Sequence, residues 1–416
     1  MKKRNITLVL FIIILFIFLI FLINYIILKP QRKVLAKIEG YISDFFINDN
    51  NDIILSGSFS KFNKIKIDKS NRNIIKININ GKIDKTFVQN NLFNEKINLF
   101  IQKIFPLDDE KFIVIYNYEE NLVLKTAIAK FDSKMNKISE FISNSFIVNA
   151  IDKQDDGKIL IAGKIYDIDD FYPFHILRLN EDLTIDKSFD TSYGFNKQIY
   201  DIIYKDSMIY IAGEFSNYKG VDSGRIVRLN LNGELDQNFN TQKGANSDIF
   251  DIDIDEKGNI LIAGMFKYFN DTERIAVARL KNDGSIDLKY NPVKSIKSLQ
   301  EESGDYTFTN NLEFLPQINK IVYDNGKVII AGNFSNINDI PAYKIARITK
   351  NGKIDKSFKI SIIDIIKKSI KKNDQTLQNL IKSANINKII LLEKNTYLIS
   401  IVYPSNSLLV KIKLKF

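Results

Sequence analysis

The sequence predicts an all-β fold: a seven-bladed β-propeller of four-stranded antiparallel blades, preceded by one N-terminal transmembrane helix and carrying a small helical insertion. Three observations predict it. A glycine following a short apolar run recurs along the chain, strand-length apolar runs separated by polar turns surround each copy, and one long apolar stretch precedes them all.

That stretch, Ile6 to Leu28, reads "ITLVLFIIILFIFLIFLINYIIL" and would span about 34 Å as a helix, enough for the hydrocarbon core of a bilayer. It is longer than the apolar part of a cleavable leader and has no small-residue cleavage site after it. Residues 1–5 are therefore expected to be a cytoplasmic tail and 6–28 a signal anchor. Basic residues are balanced on the two sides, so the orientation rests on the shortness of the tail before one long domain. The expected location is the inner or cytoplasmic membrane, single-pass, with residues 32–416 on the extracytoplasmic side.

The repeat markers are "IILSGSF" at Gly57, "ILIAGKI" at Gly163, "IYIAGEF" at Gly213, "ILIAGMF" at Gly264 and "VIIAGNF" at Gly332. Tyr116 and Ile401 stand in the glycine's place in two degenerate copies, so units recur every 47 to 69 residues. Within a unit, an apolar run such as "DIFDIDI" is strand a and the glycine run is strand b. "RIVRLN" and "ELDQNF" are then strands c and d. A three-residue c–d loop with Gly233 in the left-handed conformation would set Arg228 opposite Asp236. The same register pairs Lys76 with Asp84, Arg279 with Asp287 and Arg347 with Asp355, whereas a two-residue turn would break these pairings.

The pattern "ILIAG.F", the arginine of "RLN" fifteen residues on, then "NG.LD..FN" resembles the delta-60 repeat family. That resemblance implies a bacterial, usually exported propeller, and implies no catalytic residues. The match is close at Gly163, Gly213, Gly264 and Gly332, and weaker elsewhere.

The last unit ends at Phe416 without a strand d. Two N-terminal segments could supply it, "RKVLAKI" (Arg32 to Ile38) or "GYISDFF" beginning at Gly40. Residues 292–317 and 360–385 are insertions between strands d and a. In the second, Ile362, Ile365, Ile366, Ile370, Leu377, Leu380 and Ile381 fall mostly on a helical period, predicting one or two amphipathic helices.

Chemistry is sparse. With no cysteine there is no disulfide, thiolate metal site or cysteine nucleophile. The net charge of +10 includes six from Lys2, Lys3, Arg4, Lys29, Arg32 and Lys33, leaving a mixed-sign remainder that argues against nucleic acid as a partner. His175 is the only histidine and has no triad motif tied to it. "DIDIDEKGN", Asp251 to Asn259, imitates the start of a calcium loop but lacks its glycine and closing glutamate. The basic series Lys76, Lys130, Arg178, Arg228, Arg279, Arg347 and Lys411 reads as structural cross-strand charge rather than an anion site. No cofactor is expected. The b–c loops differ between units, and Asp170, Phe171, Tyr172, Lys219, Asp222, Asp271 and Glu273 form the candidate binding rim. The function expected from these features is a binding or scaffolding module for an envelope protein, not an enzyme. The alternative is a glycan binder or glycan hydrolase using carboxylates such as Glu301 or Asp305.

Overall fold

A computed structural model describes residues 30–67, 73–87, 97–144, 146–165, 174–189, 194–298, 316–370 and 380–414. The expected membrane anchor, residues 6–28, lies outside them. Among the described residues, no helix is long and apolar enough to cross a membrane.

The architecture is all-β and propeller-like. Each unit places strand b between strands a and c. In the Gly264 unit these are Ile249–Ile254 (a), Ile260–Gly264 (b) and Val277–Leu280 (c). The Gly213 unit uses Ile199–Lys205, Met208–Gly213 and Ile226–Leu229. The Gly332 unit uses Gln317–Asp324, Lys327–Asn333 and Ile345–Ile348. Strand a of each unit contacts strand a of the next, and the last of them, Asn385–Glu393, contacts the first strand of the domain.

The recurring glycine has a local cause. Every strand a carries a β-bulge; in the Gly264 unit the register slips between Ile249 and Asp251, leaving Phe250 unpaired. The bulge pushes the Asp248 carbonyl against strand b, so that a Cβ on Gly264 would lie 2.0 Å from that oxygen. The corresponding separations at Gly163, Gly213 and Gly332 are 1.9, 2.2 and 2.1 Å.

Strand d differs from expectation. A full d strand, Lys137–Asn144, completes the Tyr116 unit. In the units of Gly57, Gly163, Gly213, Gly264 and Gly332 the segment makes a single bridge to strand c, such as Leu229 to Leu235, and then turns away. The reason is the aspartate that follows. Asp236 Oδ1 accepts the Asn238 N–H at 2.9 Å, and the Asp236 carbonyl accepts the Phe239 N–H at 3.0 Å, which closes a turn where a ladder would continue.

The last unit, with strands Asn385–Glu393, Thr396–Tyr403 and Asn406–Lys413, receives its outer strand from the other end of the domain. Strand β1 (Gln31–Ile47) is continuous, and its first half pairs with Asn406–Lys413 from Gln31 opposite Lys413 to Glu39 opposite Asn406. Its second half, from Gly40, is strand a of the Gly57 unit. "RKVLAKI" is thus the donor and "GYISDFF" is not. Gly40, at φ +123°, bends β1 between its two roles, and a Cβ there would sit 1.9 Å from the Ser58 carbonyl.

The second insertion contains helix α1 (Ile362–Ser369), whose Ser361 hydroxyl accepts the Asp364 N–H at 3.2 Å. Ile362, Ile365 and Ile366 are buried with Leu380, Ile381 and Tyr397 between the last two units. Leu377 falls outside the described residues. So do 299–315 of the first insertion, while Ile296–Lys297 pairs with Asn336–Ile337.

Two outcomes test this reading. Removing residues 30–38 strips the last unit of its outer strand and exposes the buried apolar edge around Leu408 and Val410; the thermal midpoint of the soluble domain should fall by roughly 10 °C or more, and an unchanged melt places closure elsewhere. Gly264→Ala should lower stability by about 2–4 kcal/mol in urea unfolding, because the backbone oxygen it meets cannot move without breaking the a–b ladder.

Candidate functional site

Three groups of polar residues stand out, and the first is structural. Arg228 Nε lies 2.7 Å from Asp236 Oδ2, Arg279 Nε 3.0 Å from Asp287, and Arg347 Nε 2.9 Å from Asp355. Lys76 is 3.5 Å from Asp84 and also 3.1 Å from Asp52. Arg178 makes the same contact to Asp186 at 2.8 Å. Each aspartate thus closes its turn with one oxygen and holds the base with the other. The guanidinium also stacks on the aromatic ring three residues after the aspartate, 4.4 Å for Arg178 over Phe189 and 4.3 Å for Arg279 over Tyr290. Its remaining nitrogens reach the next unit: Arg228 donates to the Asn282 carbonyl at 2.6 Å, and Arg178 to that of Leu231. Against the pull of burial, the Ser188 hydroxyl and N–H and the Arg178 charge hold Asp186 down at about 2. These cations are occupied, so they do not form an anion-binding ring.

The second group lines the axis. The residue after the bulge in strand a is Asp44, Lys103, Asp201, Asp251, Lys320 or Lys388 in six of the units. Lys388 is 2.6 Å from Asp44, and Lys320 is 2.8 Å from Asp251. Lys103 senses the charges of Asp44, Lys320, Lys388 and Asp201, which come from four different units, so these side chains converge on one central region. The second role of the aspartates, shared by Asp253 two residues beyond Asp251, is to join neighbours. Asp201 Oδ2 accepts the Ile252 N–H at 2.9 Å, Asp251 Oδ2 that of Ile321 at 2.7 Å, and Asp253 Oδ2 that of Tyr323 at 2.7 Å. Burial, followed by the neighbouring Asp251 charge, raises Asp201 well above the usual carboxylate range. Burial also lifts Asp253 to about 7, despite the Ile254 N–H it accepts. Burial, partly offset by Asp44, holds Lys103 below the ordinary lysine range.

These partners dispose of the calcium-like stretch. Asp251 and Asp253 face inter-unit N–H groups, and Asp255 closes the a–b turn by accepting the Lys257 and Asn259 N–H groups at 2.8 and 2.9 Å. No group of metal-ligating side chains occurs among the described residues.

The third group is the rim at the b–c end. Lys219 and Asp222 share a small hairpin, Asn217–Tyr218 with Val221–Asp222, and in the equivalent hairpin of the next unit, Tyr268–Phe269 with Thr272–Glu273, Asp271 sits in the turn and Glu273 in the second strand. Asp271 meets Lys243 at 2.6 Å, with both side chains about three-quarters exposed. Asp170, Phe171 and Tyr172 lie outside the described residues, as do Glu301, Asp305 and the side chain of His175. The sequence places the Tyr116 unit in the repeat but does not disclose its exposed apolar end. There the b–c turn and its surroundings expose Leu122 (92%), Val123, Leu124, Phe100, Ile142 and Ile147 at one end of the sheet. The run "NLVLK" crosses this tight turn and reads equally well as a buried strand.

The buried strand-a carboxylates Asp201 and Asp253 give a pH test. An aspartate whose folded pKa is raised stabilises the fold most at low pH, and that contribution is lost as pH rises from about 4 toward the folded value. The wild-type midpoint should therefore carry a downward contribution between pH 4 and 7, at most about 1.4 kcal/mol per pH unit from Asp253. Asp253→Asn is expected to be less stable overall, since its amide faces one of two N–H donors, yet to have a shallower pH dependence. Parallel melting curves against pH for the two proteins contradict the assignment.

Residues 154–189, 205–239, 258–289 and 324–358 each match a repeat described as "Domain of unknown function (DUF5122) beta-propeller". Each matched stretch begins at or beside an a–b turn and closes at the aspartate-capped turn that ends the unit. No curated protein matches the chain. Among solved structures, virginiamycin B lyase from Staphylococcus aureus aligns with 14% identity over 93% of this chain and 99% of that one, with a TM-score of 0.53. The β-propeller domain of the Trilobed protease from Pyrococcus furiosus aligns with 12% identity over 92% and 96%, with a TM-score of 0.45. The repeat matches and the geometry together show that the chain is built from β-propeller repeats.

Proposed function

We propose that the chain is a membrane-anchored, seven-bladed propeller that binds or scaffolds an envelope protein through the end carrying the b–c loops. The anchor reading rests on Ile6 to Leu28, and the blade count on the cycle of strand-a contacts that returns to β1. The repeat pattern is read as that of the delta-60 family, in an extracytoplasmic protein. The observation that carries the binding reading is the exposed apolar end of the Tyr116 unit, formed by Phe100, Leu122, Val123 and Leu124. Apolar side chains grouped at one surface beside charged loops are what a protein interface buries, whereas a hydrolase needs a convergent carboxylate pair. The axial charges serve neighbouring backbones and each other, which supports a binding module over an enzyme.

The test is site-specific photo-crosslinking in native membranes. A crosslinker at Leu122 or Lys219 should trap one discrete protein, and the same group at Lys257 or Asn325, on the opposite end, should not. Combined Leu122→Ser, Leu124→Ser, Lys219→Ala and Asp271→Ala should abolish the adduct with a change in melting free energy of about 0.5 kcal/mol per exposed site. Crosslinks confined to Lys257 and Asn325 reverse the assignment of the face, and a glycan-only adduct favours a lectin.

A further inference from the structure

The propeller has two unlike ends, and the chain leaves one of them toward the expected anchor. In the last unit the a–b turn joins Glu393 to Thr396, and the b–c turn joins Tyr403 to Asn406. Gln31 pairs with Lys413, which itself pairs with Thr396, so β1 starts at the a–b end. The Leu414 N–H donating to the Asn395 carbonyl at 2.9 Å marks the same end. Three residue steps separate Leu28, the last residue of the apolar run, from Gln31, which spans at most about 11 Å. A tether that short leaves the domain little freedom to turn over.

Beside the exit of the chain, at the last unit, lie lysines of the sign a bilayer surface attracts, while exposed acids such as Asp108, Asp109, Asp156 and Glu256 occupy the a–b turns of other units. Lys33 lies opposite Lys411 in the ladder between β1 and Asn406–Lys413, and Lys33 and Lys394 are exposed. Lys413 is also there, paired with Glu393 at 3.1 Å. Arg32 is turned aside, donating to the Lys359 carbonyl at 2.5 Å and lying 3.9 Å from Asp364.

Resting on the anchor reading, we infer that the propeller stands on the bilayer with its a–b end toward the lipid and tipped onto the last unit, Lys33, Lys394 and Lys411 against anionic headgroups, and the b–c end facing away. The two ends are separated by the length of strand Thr396–Tyr403, about 23 Å at the usual rise per residue. The rim hairpins and the apolar tip at Leu122 are thereby presented to partners that approach from outside the membrane plane.

The absence of cysteine makes the test direct. Single cysteines are placed in the full chain at Lys394→Cys and Asn325→Cys on one end, and at Ser405→Cys and Asp339→Cys on the other. Each is labelled with a donor dye, and the protein is reconstituted into phosphatidylcholine vesicles containing phosphatidylglycerol and a headgroup-linked acceptor. Energy transfer from Lys394 and Asn325 should be at least twice that from Ser405 and Asp339, all four proteins melting alike. Protein that does not float with the vesicles overturns the anchor, and the orientation with it. Protein that floats but transfers equally from both ends, or more from Ser405 and Asp339, overturns the orientation while the anchor stands. Lys33→Glu with Lys394→Glu should narrow the difference in anionic vesicles and leave it unchanged in neutral ones; no effect in the anionic vesicles removes the lysines' role.

Discussion

An innermost strand has a free edge, and a free edge carries N–H groups that its own sheet cannot satisfy. The whole assembly depends on how that edge is handled. Here each unit lends its neighbour a carboxylate or an amide. Asp201 serves Ile252, Asp251 serves Ile321 and Asp253 serves Tyr323, while Gln102 accepts from Val148 at 2.7 Å and donates to the Phe146 carbonyl at 2.8 Å. The bulge makes this possible, because the extra residue re-aims the next side chain along the axis instead of into the inter-unit core. The glycine of strand b is in turn the consequence of the bulge. One constraint, an edge to be satisfied without an extra strand, thus fixes a backbone irregularity, a glycine and a ring of charge.

At the periphery the arginines close the same junction from outside. Arg228 holds its own turn through Asp236 and the following unit through Asn282, so a single side chain ties local turn geometry to packing between units. Its stem and plane lie against Tyr210 and Phe239, which shields the ion pair from water. Neighbouring units are thereby fastened at the axis by carboxylates and near the rim by guanidiniums, with the apolar core between.

Features written identically in several units could be read from the sequence. The glycine marker, the arginine–aspartate spacing and the helical period over Ile362, Ile365 and Ile366 were legible because each is a repeated or periodic demand of backbone geometry. Strand d was misread because "ELDQNF" has the alternation of a strand, while the turn-forming power of Asp236 outweighs it. The axial charges were invisible for the opposite reason: Asp44, Lys103, Asp201 and Lys320 are different residues at one structural position, and only the bulge register shows that they are equivalent. The apolar end at Leu122 was not legible, since nothing in "NLVLK" distinguishes an exposed turn from a buried strand.

Strand β1 also sets an order of events. Its first half pairs with residues 406–413, so the partners of Ala36 and Ile38 are made some 370 residues after them. At about 5–20 residues per second, synthesis takes on the order of 20–75 s to deliver that partner. Throughout that interval the first half of β1 waits with an open edge, while the units downstream can stack one upon another. The final step is then the insertion of the last-made strands beside the first-made one, a loop closure that spans the entire domain and is the slowest kind of contact for a chain to find. The nascent protein is an open arc for most of its synthesis, and the edge it leaves unpaired longest is the one made first.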